Sequence, residues 1–508
     1  MRDTRIFGMQ SPDTAAPNLD PDDWEAFRAA SRRALDDMID FLKTVRERPV
    51  WQPAPPEVVR EFRSPLPTAP EDLDAVLSDF STLIRPYATG NLHPLFMGWV
   101  HGAGTPVGMI AEMLAAGLNA NCGGRNHIAL DVERQITAWA AALFGFPSDA
   151  SGIFVTGTSA ANQLALLVAR NASLGDDVRR TGLRDGRGQL VAYTSAEAHG
   201  CIKQAMEMAG IGSRFLRLIP VDTRGGMRAD ALAEAIADDR ARGLRPFLVA
   251  ATAGTVNTGA FDDLEAIAEI CRGENLWFHV DGAFGALVAL SPSLRPLIRG
   301  IERADSIAFD FHKWAHVPYD AGFLLVRDAE RHRRTFSNPA AYLHRAPSGL
   351  AAGETWPCDL GPDLSRGFRA LKTWFTFRVH GADKIGACIA HTCEIAKYLE
   401  RRVVEQSNLY ELAAPVALNI VCFGLRTSPD GELNKAIVID LQERGVAAPS
   451  TTIIGGRAVI RAAIVNHRTT RQDIDALMIA LRDSALRVTL AQMRRDDEAE
   501  TAPAVATG

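Results

Sequence analysis

Two residues dominate the chemistry open to this chain. Lys313 lies in Asp310-Phe311-His312-Lys313-Trp314, and Asp281 ends the run Leu276-Trp277-Phe278-His279-Val280. Each follows a short apolar stretch of the kind that forms a buried strand. Side chains at the carboxyl ends of neighbouring strands in one α/β sheet converge on one ligand. A lysine there can condense with a carbonyl as a Schiff base. A carboxylate there can keep a pyridine nitrogen protonated by ion pairing. These are the two protein groups that pyridoxal 5'-phosphate (PLP) needs most. Taken singly, either residue is equally a member of a buried ion pair at a strand end.

Three further segments share that placement. Thr156-Gly157-Thr158-Ser159-Ala160-Ala161-Asn162 follows an apolar run and opens a helix. Backbone N–H groups at a helix start, with Thr158 and Ser159 hydroxyls, form an anion cradle suited to a phosphate. Ordinary N-capping would use the same residues. His199 falls in a loop just past a strand, where it is either a surface residue or part of the site. Thr255 sits in Ala250–Asp262, a strand, a small polar loop and a helix start, which either lines a cofactor ring or is a plain connection. Five such segments on successive strands point to one site.

The elements that must position them follow from periodicity. Strands are predicted at Gly152–Val155, Leu190–Tyr193, Phe215–Ile219, Phe247–Ala251, Leu276–Val280, Ser306–Phe309 and Phe323–Val326. Amphipathic helices such as Val132–Phe144 and Leu264–Cys271 alternate with them. This alternation predicts an α/β domain with a mostly parallel sheet, over residues 91–380. Residues 1–90 read as an N-terminal helical segment. Trp24, Phe27, Leu35, Met38, Ile39 and Leu42 recur at helical spacing, and the prolines between Pro49 and Pro70 predict an extended connector. Residues 381–498 read as a smaller α+β domain, and 499–508 as a disordered tail.

Composition narrows the class. At 47% hydrophobic and 23% charged, with a net charge of −6 spread over interspersed residues, the chain is expected to be a soluble globular protein without a nucleic-acid partner. No apolar run long enough for a transmembrane helix occurs and the first twenty residues lack a signal-peptide core, so no membrane association and a cytoplasmic location are expected. The seven cysteines form no CxxC, and no HExxH occurs; free thiols and no metal are expected.

These segments resemble the group II PLP-dependent amino-acid decarboxylases, the family of aromatic-L-amino-acid, glutamate, cysteine-sulfinate and histidine decarboxylases. HVDGAFGA (279–286) is similar to the family's HVDAA motif, and DFHKW (310–314) to its NPHKW motif. YTSAEAHGCIKQAMEMAGIG (193–212) and SRGFRALKTWFTFRVHG (365–381) resemble two more of its stretches, and the similarity runs from about residue 22 to 490. The resemblance implies the fold type I (aspartate-aminotransferase-like) architecture: a mostly parallel seven-stranded sheet with helices on both faces, an N-terminal helical segment and a small C-terminal α+β domain. It implies PLP as cofactor and loss of CO2 from an L-amino acid. Lys313 would form the Schiff base, Asp281 would pair with the ring nitrogen and His199 would stack on the ring. Thr158, Ser159 and His312 would hold the phosphate, and Thr255 would lie near the ring's phenolic edge. Asn338-Pro339-Ala340-Ala341-Tyr342-Leu343-His344 is similar to a mobile loop whose Tyr protonates the substrate, which makes Tyr342 the candidate. A homodimer with shared active sites is implied as well.

Asp310 departs from the family's usual Asn beside the phosphate, and Val256 from a common Thr. Asn119-Ala120-Asn121 resembles the Asn-x-Asn of the glutamate branch, with Arg125 a nearby anion anchor, whereas Phe96 and Trp99 offer aromatic surface. The family-wide similarity favours an aromatic substrate. An acidic or other polar amino acid, an oxidative aldehyde synthase and an aminotransferase are the alternatives.

Overall fold

The structure, a computed structural model, describes residues 18–183, 188–338, 344–353 and 355–501. Two compact units divide them. One comprises the described residues up to Val45 with Ala54–Pro86; the other comprises Arg46–Pro53 and the described residues from Tyr87 onward.

The first unit is helical. Asp23 caps the helix Trp24–Lys43, its carboxylate accepting from the Glu25 and Ala26 N–H groups. The proline stretch is not wholly extended. A six-residue helix, Pro56–Glu61, begins on Pro56 itself. Proline is tolerated at the first helical position because its missing N–H would have had no partner there, so the residue that excludes a helix interior can start one.

The second unit is built on two sheets. In chain order the strands are β1 (Phe96–Met97), β2 (Ser151–Val155), β3 (Leu190–Ser195), β4 (Leu216–Ile219), β5 (Arg245–Thr252), β6 (Trp277–Asp281), β7 (Ser306–Asp310) and β8 (Gly322–Val326). Then come β9 (Tyr410–Leu412), β10 (Ile420–Leu425), β11 (Ala448–Ile454) and β12 (Arg457–Ala463). The larger sheet has the order β2-β8-β7-β6-β5-β3-β4. Its β3, β4, β5, β6 and β7 run parallel, and β8 is antiparallel to both β7 and β2. All seven expected strands are present within a residue or two. They read as near-continuous apolar runs because helices cover both faces of a parallel sheet. Every residue of β3, β7 and β8 is buried.

The smaller sheet has the order β1-β11-β12-β10-β9. Its first strand comes from far upstream: Phe96 and Met97 pair in parallel with Ala448 and Pro449. The segment that precedes the larger sheet in sequence therefore belongs by pairing to the smaller one.

A cluster of phenylalanines fixes the element that carries Lys313. Phe309 and Phe311 lie 4.9 Å apart edge to face, and Phe154, Phe144 and Phe323 pack against them at 5.2–5.7 Å. Trp314 is fully buried against Phe284 and donates from Nε1 to Thr392 Oγ1 at 3.1 Å. With aromatic anchors on both sides, the short turn Phe311–Trp314 has little freedom.

Candidate active site

At the end of β7 the chain turns directly into the helical turn Phe311–Trp314. Three of its residues are buried, whereas the Lys313 side chain keeps partial exposure. Its Nζ lies 2.9 Å from Asp310 Oδ2. The other oxygen of Asp310 accepts from the Thr158 N–H at 2.7 Å. Thr158 is the first residue of the helix Thr158–Leu174, which follows β2. Asp310 thus does two jobs: it caps a helix N-terminus and neutralises Lys313. These contacts explain how a carboxylate is accommodated in a buried position.

His312 completes the group. Its Nδ1 accepts from the Ala321 N–H at 3.0 Å, which leaves Nε2 as the protonated nitrogen, 3.6 Å from Asp310 Oδ2. Burial lowers its pKa to about 4 despite Asp310, so the ring is neutral near pH 7.

Asp281 is buried at the end of β6. Its Oδ2 accepts from Asn162 Nδ2 at 3.0 Å and lies 3.8 Å from Cys201 Sγ; its Oδ1 accepts from the Ala283 N–H at 3.2 Å. Burial raises its pKa, against the pull of Lys313, His199 and these donors. A cationic ring nitrogen at this carboxylate would supply the missing counter-charge. His199 is exposed at the loop after β3, and its Nδ1 accepts from the Cys201 N–H at 3.2 Å. Cys201 Sγ also accepts from Asn162 Nδ2 at 3.1 Å, which ties the Thr158 helix to the Cys201–Asp281 pair.

These residues fit PLP. Thr158 Oγ1 is buried at a helix N-terminus and has no hydrogen-bond partner among the described residues. A Cβ added to Gly157 would point into open space bordered by His312 Cε1 at 3.8 Å and Asp310 Oδ1 at 3.9 Å, so the cradle has room for an anion. Lys313 and Asp281 are close enough to feel each other's charge. Asp310 introduces a tension, because its charge would share the helix N-terminus with a phosphate held there. Asp310→Asn keeps an acceptor for Thr158 and removes that charge. It is expected to tighten phosphate-dependent cofactor binding by roughly tenfold. Equilibrium dialysis against PLP and pyridoxal would test this: equal or weaker PLP binding by the variant would show that the Asp310 charge does not oppose the phosphate.

Other expected residues fall differently. Thr255 is fully buried in its own turn, accepting from the Ala260 N–H at 3.0 Å and meeting Thr258 Oγ1 at 3.1 Å. Asn119 ends the helix Pro106–Leu118 with φ +44°, a left-handed position that Asn tolerates. Asn121 Oδ1 accepts from the Gly123 and Arg366 N–H groups. Arg125, also left-handed at φ +83°, lays its guanidinium over the Trp356 ring at 4.9 Å. All three have structural work in hand. Tyr342 lies outside the described residues.

Phe96 and Trp99 belong to a strip of rings that includes two residues the sequence did not single out. His101 stacks on Phe96 at 5.7 Å and on Trp99 at 5.9 Å, and meets Tyr319 edge-on at 6.2 Å. Tyr319 lies over His312 at 4.3 Å. Burial, with the Lys313 charge, lowers the His101 pKa. Burial, with the Asp310 charge, pushes the Tyr319 phenol up to about 12 despite an opposing hydrogen bond from the Gly102 backbone. The strip therefore runs up to the lysine. Behind it Arg461, buried on β12, donates to the carbonyls of Gly98, Val256 and Asn257 and to Ser450 Oγ. Burial lowers its pKa to about 10.

Among the described residues no group of His, Cys, Asp or Glu could hold a metal ion, and no helix is long and apolar enough to cross a membrane.

The pyridoxal-dependent decarboxylase conserved domain matches residues 55–426. An aromatic-L-amino-acid decarboxylase of Bacillus atrophaeus is 32% identical over 92% of this chain and 97% of its own. A histidine decarboxylase of Rattus norvegicus is 30% identical over 90% of this chain and 70% of its own. The crystal structure of Oryza sativa TDC with PLP and tryptamine superposes with a TM-score of 0.85 at 25% identity, over 93% of this chain and all of that one. The fold is therefore type I, with PLP as cofactor. By its matched domain and its near-full-length relatives, the chain belongs to the pyridoxal-dependent decarboxylase family and is a PLP-dependent carboxy-lyase.

Proposed function

We propose that the substrate is an L-amino acid with an aromatic side chain. The observation that carries this reading is the ring strip of Phe96, His101, Trp99 and Tyr319 beside Lys313. Trp99 and Tyr319 are 51% and 49% exposed, so two large rings of the strip stand partly open. A substrate ring stacked there would bury apolar area and gain offset or edge-to-face contact. An acidic side chain would need a free cation, and Arg125 is already seated on Trp356. The two curated relatives reported above are named for aromatic amino acids and for histidine, and the TDC structure holds tryptamine, whereas the crystal structure of mouse CSAD superposes with a TM-score of 0.83.

In this reading Lys313 holds the cofactor. Thr158, Ser159 and the neutral His312 receive the phosphate, Asp281 faces the ring nitrogen and His199 covers the ring. Bound PLP supplies the electron sink for the pair released as CO2 departs. Asp281, kept ionised, holds the proton on that nitrogen. Tyr342 is assigned, from the resemblance alone, to deliver a proton to the substrate Cα, directly or through His199 or water.

The test is CO2 and amine release by the PLP-loaded protein from a panel of amino acids. Tryptophan, tyrosine, phenylalanine, DOPA or histidine is expected to exceed glutamate, aspartate and cysteine sulfinate by about a hundredfold or more in kcat/KM. Turnover confined to the acidic group would remove the aromatic assignment. Aldehyde in place of amine would point to the oxidative alternative.

We also assign a homodimer with shared sites. Met113, Leu114 and Leu118 are exposed on one helix, and Trp24, Phe62 and Leu66 in the N-terminal unit, apolar side chains that a second copy would cover. Sedimentation is expected to give twice the chain mass; a fully active monomer would refute this. A cytoplasmic setting suits seven free thiols.

A further inference from the structure

Behind Asp281 lies a line of polar groups that the reaction itself does not use. Trp277, His279 and Asp281 alternate along β6 and so share one face of the sheet. Ser306 is the register partner of His279 on β7. Asn162 sits on the Thr158 helix one turn beyond Thr158, hence on the same helix face. The contacts are short and continuous. Trp277 Nε1 meets Ser306 Oγ at 2.8 Å, Ser306 Oγ meets His279 Nδ1 at 2.8 Å, and His279 Nε2 meets Asn162 Oδ1 at 2.7 Å. Asn162 Nδ2 then meets Asp281 Oδ2 at 3.0 Å.

The direction of this line is set from both ends. An indole N–H can only donate, and an ionised carboxylate can only accept. Asn162 must therefore turn its NH2 to Asp281 and its carbonyl to His279, so His279 carries its proton on Nε2. Burial lowers the His279 pKa to about 3, so the ring stays neutral and its Nδ1 accepts from Ser306. Every link donates toward Asp281, and no link carries a charge.

We propose that Asn162 and His279, backed by Ser306 and Trp277, are positioning residues that hold Asp281 in its ionised form and thereby set the basicity of the cofactor's ring nitrogen. The proposal rests on the assignment of Asp281 to that nitrogen. The need for such a device is physical. A buried carboxyl drifts toward its neutral form, and a neutral carboxyl cannot hold a proton on a pyridine. Hydrogen bonds donated to the carboxylate oppose that drift without placing a competing cation beside the ring. The same helix offers its N-terminus to the phosphate and Asn162 to Asp281, so one rigid element sets both ends of the cofactor.

The test reads the absorbance of the lysine-linked cofactor as a function of pH. A protonated ring nitrogen withdraws electrons from the imine and lowers its protonation midpoint. Weakening Asp281 should therefore move the midpoint upward. Asn162→Leu is expected to raise it by about one pH unit and weaken PLP binding by about tenfold. His279→Leu should shift it in the same direction by less, and His279→Gln, which keeps a donor toward Asn162, should restore most of it. Loss of thermal stability with an unmoved midpoint would reduce the line to a structural role and overturn the proposal. Should the variants fail to fold, the wild-type apoprotein still decides. Side-chain 15N spectra, with His279 assigned through its neighbour Trp277, should show a neutral Nε2–H tautomer between about pH 6 and 8. An Nδ1–H tautomer or an imidazolium would refute it. Absence of any lysine-linked band in the wild type would instead be a failure of the Lys313 assignment.

Discussion

Lys313→Ala is expected to remove the visible absorbance of lysine-linked PLP and to lower decarboxylation by roughly a thousandfold or more. The argument is geometric. Lys313 is the one residue of its turn that is not buried, and its amine lies at the mouth of the cradle formed by Thr158, Gly157 and His312. The alanine variant also strips Asp310 of its 2.9 Å partner, so weak binding could follow from an unpaired buried carboxylate. Lys313→Arg separates the two effects. Arginine keeps a cation beside Asp310 and cannot form the imine at neutral pH. Both variants should lose the absorbance, whereas only the alanine variant should also lose stability. A lysine-type band surviving in either one would move the covalent attachment elsewhere.

The second large effect concerns stability. Arg366→Met is expected to destabilise the apoprotein by about 3–5 kcal/mol, read as a fall in the urea midpoint. Arg366 and Glu133 form a two-pronged pair at 2.7 and 3.1 Å, with side-chain exposures of 1% and 6%. The pair also closes an edge. β2 ends the larger sheet, and its Phe154 N–H donates to Glu133 Oε1 while its carbonyl accepts from Arg366. Removing the arginine leaves a buried carboxylate and an unpaired strand carbonyl two residues before Thr156. Glu133→Gln added to Arg366→Met should recover part of the loss, because the stranded charge is gone. A double variant no more stable than the single one would show that packing, not charge, dominates the site.

The larger sheet was legible because a strand covered on both faces is an apolar run, and its ends carry abrupt polar residues. Lys313 and Asp281 stood out for that reason. β1, β9 and β11 were not anticipated. β1 has two residues and β9 three, and β11 begins Ala-Pro-Ser-Thr-Thr, without the apolar signature of the other strands. Asn119, Asn121 and Arg125 attract attention as polar residues in a loop, yet the loop already employs them in two left-handed backbone positions, a turn and a cation–ring contact. His101 and Tyr319 come from connections rather than strand ends, so no periodic signal marked them. His279 could have been found: it is two residues before Asp281, which puts it on the same strand face.

Arg461 brings out a difference between the two halves of the site. The proposed cofactor cradle at Thr158, Asp281 and Lys313 is built on the larger sheet and the helices that follow its strands. The aromatic wall has no such independence. Its segment at Gly98, the loop at Val256–Asn257 and β11 at Ser450 are joined through one guanidinium that projects from the smaller sheet. Three regions distant in sequence, at Gly98, at Val256–Asn257 and the β11–β12 hairpin, must be in place before that junction exists. If the substrate ring stacks on this wall as proposed, its recognition is a property of the completed tertiary structure, whereas the proposed cofactor seat is inherited from a single layer of it.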